Sequence, residues 1–375
     1  MYQFLVGIMF MLQSITMFNY YFTSEIKMMN MRFLIFSFIL TISQLITLLI
    51  SSFTIGINFL DIINVFARFI SVFIFLCIPS KISISKNGFR RFMFLISILG
   101  LVASLYNMII NFKEILNILN INNAYEMNFT SFYLNRNSFA QLLLFSIIAN
   151  SILYDKTQRK YKLVFFLIYL INIFVTLSRT VLACVIIFLI ISSVIYDKRN
   201  IIKISIAISL FMIGLIILIT IKPEIKNFII DMVIRKEAGT SGRTDLWFVG
   251  IHILNNTNWI FGIGYISSRD IINSMGFNLN EFHSFYIETL VGGGIIDLLL
   301  HFIILIYIIK RVTIIYKNDK RIGALYFSAF ISLFIYSLFE SASIFTMGYV
   351  GTVCTIFIIT IPLLYSNSFL LELDG

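Results

Sequence analysis

Apolar runs of about twenty residues recur along this chain, and no other feature constrains its fold as strongly. A run of that length crosses the hydrocarbon core of a bilayer as an α-helix, whose backbone satisfies its own hydrogen bonds. Windows near 2–22, 31–53, 58–79, 91–112, 138–154, 162–178, 180–196, 201–221, 286–309, 323–342 and 345–366 give 11 candidate spans, within a range of 10–12. Composition agrees: the chain is 59% hydrophobic and 12% charged, with three prolines, against roughly 45–50% and about 25% for soluble domains. The expected fold is therefore all-α, a polytopic transmembrane bundle forming a single integral membrane domain over residues 1–375. The first run has no basic n-region and no small-residue cleavage site, so it reads as a helix that stays.

The net charge of +10 does not point to nucleic acid, because the basic residues are parcelled into short loops. Lys81, Lys86, Arg90 and Arg91 follow span 3; Lys156, Arg159, Lys160 and Lys162 follow span 5. Lys198, Arg199 and Lys203 follow span 7, and Lys310, Arg311, Lys317, Lys320 and Arg321 follow span 9. Every basic loop follows an odd-numbered span. The positive-inside rule then places all of them in the cytoplasm, with the N-terminus outside and the C-terminus inside. Cys77, Cys184 and Cys354 fall inside apolar runs. They form neither a disulfide framework nor a metal-binding spacing, and no cofactor is implied.

Alternation leaves residues 113–137 and 222–285 outside. The second segment is far longer than a connection requires, and long loops without a structural reason are usually functional. Residues 224–234 place Ile225, Phe228, Ile229, Met232 and Val233 on one helical face, suited to the bilayer surface. TDLWFVGIHIL (244–254) predicts a second helix, ended by Asn255-Asn256-Thr257, and FGIGY (261–265) a glycine turn. The loop holds six basic and six acidic residues, so it is no generic cationic patch.

The same alternation gathers three residues on the outer face: His283 at the mouth of span 9, Arg243 in the large loop, and Arg179 between spans 6 and 7. Arginine stays protonated and forks onto phosphate oxygens. Histidine has the ordinary pKa suited to proton removal near neutrality. Together they fit group transfer on a lipid diphosphate. Each also has a plain reading: a solvated histidine, an Arg243 paired with Asp245 or Glu237, and an Arg179 snorkelling to lipid phosphates.

SGRTDLW (241–247), IFGIGY (260–265) and HSFYIETLVGGGII (283–296), in that order, resemble the signature of the O-antigen polymerase and ligase family, which comprises Wzy-type polymerases and lipid A-core ligases. TLSRT (176–180) is similar to the family's Ser-Arg start of a helix ahead of the large loop. NRNSFA (135–140), with Arg136 and Asn137, resembles its Asn-containing start of an earlier helix. Ser284 and Asp297 depart from the family's usual asparagine and glycine. The resemblance implies a glycosyltransferase of the bacterial cytoplasmic membrane, acting on its extracytoplasmic side on polyprenyl-diphosphate-linked oligosaccharide donors and acceptors. It implies that Arg179 and Arg243 neutralise the diphosphate and that His283 activates the acceptor. The leaving group is good and the arginines are permanent cations, so this chemistry requires no metal. Polymerisation of repeat units in O-antigen or capsule synthesis is the first reading, with a chain-length regulator and a flippase as expected partners. The alternative is a ligase moving finished glycan onto a lipid core or protein.

Glu288, one turn below His283, and Glu340, near the outer end of span 10, are candidates to orient the histidine or meet a sugar hydroxyl; Arg136 and Asn137 are further candidate substrate contacts. Asp61 and Arg68, seven residues apart, share a face of span 3 and read as structural partners of other helices. Asp297 and His301 read as a buried i,i+4 pair, and Gly292-Gly293-Gly294 as allowing close helix approach. A transporter using the intramembrane charges is the reading from another class. It predicts glycine- or proline-broken spans in matching halves, which the sequence does not display. If the chain is an enzyme, charge reversal at Asp61 or Arg68 is expected to be tolerated better than loss of Arg179 or His283.

Overall fold

The computed structural model describes residues 30–56, 58–116, 129–133, 135–154, 159–196, 242–277, 281–341, 344–346 and 349–371. The expected spans at 2–22 and 201–221 and the amphipathic stretch 224–234 lie outside these residues. Among the described residues there is no strand. The helices are α1 (Met31–Thr54), α2 (Phe59–Val72), α3 (Lys86–Ile110), α4 (Arg136–Leu153), α5 (Arg159–Thr176), α6 (Arg179–Tyr196), α7 (Arg243–Asn256), α8 (Tyr265–Ser274), α9 (Phe285–Asn318), α10 (Lys320–Phe339), α11 (Tyr349–Thr355) and α12 (Ile361–Leu371). A π-turn, Phe73–Cys77, extends α2, and another, Ile356–Thr360, joins α11 to α12.

Seven described segments are long and apolar enough to cross a membrane: α1, Phe59–Cys77, α3, α6, α9, α10 and Gly351–Leu370. Of the remaining expected spans, α4 forms as a helix but carries Arg136, Asn137, Gln141 and Asn150, which dilute its apolarity. The apolar stretch of α5, Tyr161–Thr176, is short for a crossing.

The described residues group into two compact units. The first contains α1, α2, α7, α8, α9, residues 334–339 of α10, α11 and α12. Its α1 turns a stripe of Ser43, Gln44, Thr47 and Ser51 inward. Two of these side chains meet the backbone of the glycine turn: Thr47 donates to Phe261 O at 2.6 Å and Ser51 to Ile263 O at 2.9 Å. The expected glycine turn forms at 261–265 and lies against α1. The expected α7 forms too, with Thr257 as its C-cap, and buries Leu246, Gly250, Ile253 and Leu254 on one face. A Cβ at Gly250 would approach Ile287 Cγ2 to 2.9 Å, so glycine sets how closely α7 packs on α9.

The structure corrects the expectation that span 9 is one unbroken helix. Gly294 adopts φ 72° and ψ −174°, a conformation open essentially to glycine alone, and α9 breaks there. A backbone break inside a span is tolerated where protein satisfies the freed groups. Here the 259–264 segment does so. Ile263 N donates to Val291 O at 3.0 Å and Gly264 N to Gly292 O at 2.8 Å, while Ile295 N donates to Trp259 O at 2.9 Å. The three glycines thus admit a strand-like loop segment to the helix, where the sequence suggests a neighbouring helix. A Cβ at Gly294 would collide with the Ile260 carbonyl.

The second unit contains α3, α4, α5, α6 and residues 320–333 of α10. Its centre is α4, buried on all sides from Phe139 to Leu153 apart from a partly covered Ser151, as befits a helix surrounded by others. Gly100 of α3 faces Ser146 of α4, a small-on-small approach of the kind that lets membrane helices pack closely. The C-terminal carbonyls of α4 are capped by cations: Lys162 donates to Leu153 O, and Arg321 to Ser151 O and Tyr154 O. Two of the basic residues that signal orientation therefore also close a helix end.

Candidate functional site

The site is built at one end of the first unit, where the 281–284 turn enters α9. His283 sits at φ +49°, a left-handed backbone that few non-glycine residues adopt. The turn is held around it. Phe282 is fully buried in the cluster of Leu246, Ile253, Leu254, Ile263, Ile272 and Val291, and its carbonyl accepts from Trp247 Nε1 at 3.0 Å. Phe285 N donates to Glu340 O at 3.2 Å. Strain of this kind persists only where surroundings over-determine it, and it concentrates at functional sites.

Two helices bring charge to the turn, which carries Glu281 of its own. Arg243, at the first position of α7, donates from Nη2 to Glu340 Oε1 at 2.5 Å. Glu340 follows the last turn of α10, and its Oε2 lies 3.7 Å from His283 Nδ1. Glu281 Oε1 lies 3.4 Å from the same nitrogen. Burial by itself lowers the pKa of His283, but the carboxylates of Glu340 and Glu281 outweigh it and hold the ring above its ordinary value. The ring, 16% exposed, remains reachable.

Of the sequence-derived candidates, Arg243, His283 and Glu340 come together; the expected alternative of Arg243 with Asp245 does not form as an ion pair. Glu288 does not orient His283. It is fully buried and pairs with Arg269 of α8, which donates to it from Nε at 3.1 Å and also from Nη2. Arg269 and Glu281 escape the sequence reading. The available signal is YISSRD, an arginine one helical turn past the glycine turn. Arg179, Arg136 and Asn137 belong to the second unit and are described with it. Arg179 opens α6 behind Leu177, another non-glycine residue at positive φ, +53°. Arg136 and Asn137 form the first turn of α4, which Asn135 caps by accepting from Ser138 N at 2.7 Å.

Below the turn, the intramembrane charges have structural partners. Asp61 of α2 accepts from Ile266 N, Ser267 N and Ser267 Oγ at 2.7, 2.9 and 2.7 Å, closing the N-terminus of α8. Arg68 lies 3.3 Å from Asp297 Oδ2 and stacks over the Tyr265 ring at 3.5 Å. Tyr265 and Gln44 also donate to that oxygen, at 2.7 and 3.3 Å. His301 Nδ1 is 3.0 Å from Asp297 Oδ1, the expected i,i+4 pair.

These features define a polytopic helical membrane protein with a histidine, arginine and glutamate cluster beside a glycine-broken helix. Residues 164–302 match the family model described as O-antigen ligase. The match contains Arg179, Arg243, Glu288 and His283; Glu340 lies beyond it. No curated protein matches the chain.

Proposed function

We propose that the protein polymerises polyprenyl-diphosphate-linked oligosaccharide repeat units for a surface polysaccharide, at the extracytoplasmic face of the cytoplasmic membrane. The observation that carries this is His283, held at positive φ with Nδ1 toward two carboxylates and Arg243 one residue away through Glu340. With Nδ1 facing carboxylates, Nε2 is the nitrogen left to accept a proton. His283 removes the proton of an acceptor sugar hydroxyl, whose oxygen bonds to the anomeric carbon of the donor. The bond from that carbon to the diphosphate oxygen breaks, and the departing charge is held by Arg243; the resemblance implies the same role for Arg179.

The same atoms serve a ligase that delivers finished glycan to a lipid core or protein, and the family description over 164–302 favours that second reading. Transport finds less support. A broken helix in a transporter offers its freed backbone groups to substrate, whereas here Val291 O, Gly292 O and Ile295 N are taken by the 259–264 segment.

The test is the size distribution of surface and lipid-linked glycan in a deletion strain complemented with wild type or His283→Ala. Single repeat units, restored to a ladder by wild type alone, support polymerisation. Full-length polymer retained on the lipid carrier supports ligation. An unchanged profile, without a redundant enzyme, rejects both.

A further inference from the structure

One carboxylate serves two partners in this site. Glu340 Oε1 is within hydrogen-bond distance of Arg243, while Oε2 is near His283 Nδ1 but too far to bond it. The main chain of Glu340 is fixed to the His283 turn by the Phe285 amide, and its side chain is 8% exposed. Its carboxylate therefore has little freedom except to turn between these two groups. Among the described residues, Arg243 and His283 are its ion-pair partners within 4.0 Å. Any diphosphate that docks on Arg243 competes with Oε1 for the guanidinium.

We propose that Glu340 is a positioning residue that couples donor capture to base activation: a diphosphate on Arg243 displaces the Glu340 carboxylate, which then holds His283 Nδ1–H and aims Nε2 at the acceptor hydroxyl. This rests on the reading of the donor as a polyprenyl diphosphate. Before the donor binds, the carboxylate is spent on the arginine and the ring is less firmly held. The other charges around the ring are Glu281 on its own turn and Arg243 on α7, with Glu288 and Arg269 flanking Glu281. None of these bridges the ring to the diphosphate-binding arginine as Glu340 does.

The coupling has a signature that a structural role lacks. Glu340→Gln removes a charged competitor for Arg243 and the anchor for His283 together, so binding and turnover move in opposite directions. The experiment measures binding of a glycan-free polyprenyl diphosphate to the purified full-length protein in nanodiscs, beside turnover of a lipid-linked repeat unit. In E340Q, binding tightens about 5-fold or more and turnover drops about 10–100-fold, as for other groups that orient a functional histidine. The gain in binding disappears in the double variant R243Q/E340Q. Weaker binding in step with lower turnover, or unchanged turnover, overturns the proposal. A wild type that binds no polyprenyl diphosphate overturns the donor reading itself, a different result from a wild type that binds while E340Q fails to bind tighter.

A second measurement does not depend on how well the variant turns over. The chain has three histidines, His252, His283 and His301, so the ring signals of His283 can be assigned by NMR. Adding the polyprenyl diphosphate raises the titration midpoint of His283 in wild type. In E340Q only the direct pull of the diphosphate remains, and the rise is smaller. Equal rises in both proteins overturn the coupling.

Discussion

Asp61 caps a helix two hundred residues away: its carboxylate accepts from Ser267 N at 2.9 Å and from Ser267 Oγ at 2.7 Å, with Ile266 N at 2.7 Å on the other oxygen. The N-terminal amides of α8 are otherwise unsatisfied by the helix itself. Gly264, at φ +94°, lets the carboxylate this close, since a Cβ there would come within 2.6 Å of Asp61 Oδ2. Asp61→Ala leaves buried donors without a partner, at about 1–3 kcal/mol for each group. Asp61→Asn keeps one acceptor and costs less. Thermal unfolding of the purified variants should rank wild type above Asn above Ala; an Ala variant as stable as wild type would show the cap to be dispensable.

Arg68 and Asp297 extend that logic into the bundle. Both are buried, 3.3 Å apart. Removing one partner of a buried pair leaves an uncompensated charge and costs about 3–5 kcal/mol, whereas neutralising both is far milder. Arg68→Met should therefore be destabilised more than the double variant R68M/D297N, in which the amide still accepts from Tyr265 and Gln44. The ranking of melting temperatures decides it, and a double variant worse than both singles would mean the pair is not a unit. The sequence-based expectation compares these sites with others, holding charge reversal at Asp61 or Arg68 to be tolerated better than neutralisation at Arg179 or His283; the buried contacts of Asp61 and Arg68 set a stability cost beside it. Both shape the segment that supports His283, so their loss should impair activity through folding.

Gly294 gives a test of the broken helix. Gly294→Ala meets the backbone carbonyl of Ile260 in a conformation alanine avoids, so strain of about 1–3 kcal/mol adds to the displaced loop. Gly276 shares a positive φ, +85°, but a Cβ there meets open space. Gly276→Ala should lower the melting temperature much less than Gly294→Ala. Equal effects would point to φ alone and remove the docking of the 259–264 segment as the reason for the glycine.

Much of this was legible from residue pattern, and the remainder was not for a physical reason. Apolar windows located α1, α3, α6 and α10 because bilayer thickness fixes helix length. The Asn255-Asn256-Thr257 cluster marked the end of α7, since short polar side chains compete with helical hydrogen bonds. Alternation brought Glu340 to the His283 face from 57 positions away in number. The break at Gly294 was hidden because the run from 286 to 309 stays apolar across it, and a glycine triplet suits either close packing or a break. The pairing of Glu288 with Arg269 depends on the register of α8 against α9, which no local pattern encodes. Lys162 and Arg321 counted as topology signals while also serving as helix caps, because one positive charge satisfies both demands.

The pH dependence of the reaction tests the role of the carboxylates around His283. A general base works in its neutral form, so the rate should rise as pH climbs through the His283 value. Burial alone would place that value low, but Glu340 and Glu281 hold it above the ordinary one of about 6.5. The acid limb of kcat/KM should therefore sit on the alkaline side of an unperturbed histidine. Glu281→Gln removes one carboxylate, leaves Arg243 and Glu340 intact, and should move that limb to lower pH. The step is modest, because Glu281 is 40% exposed and water screens it. Stability follows the opposite sense: the attraction between the protonated ring and its carboxylates is fully present below the unfolded value and is lost as pH rises through the folded one. Rate profiles of wild type and E281Q, recorded with the same lipid-linked substrate, decide the matter. A limb that stays in place or moves to higher pH would remove Glu281 from the electrostatics of the base.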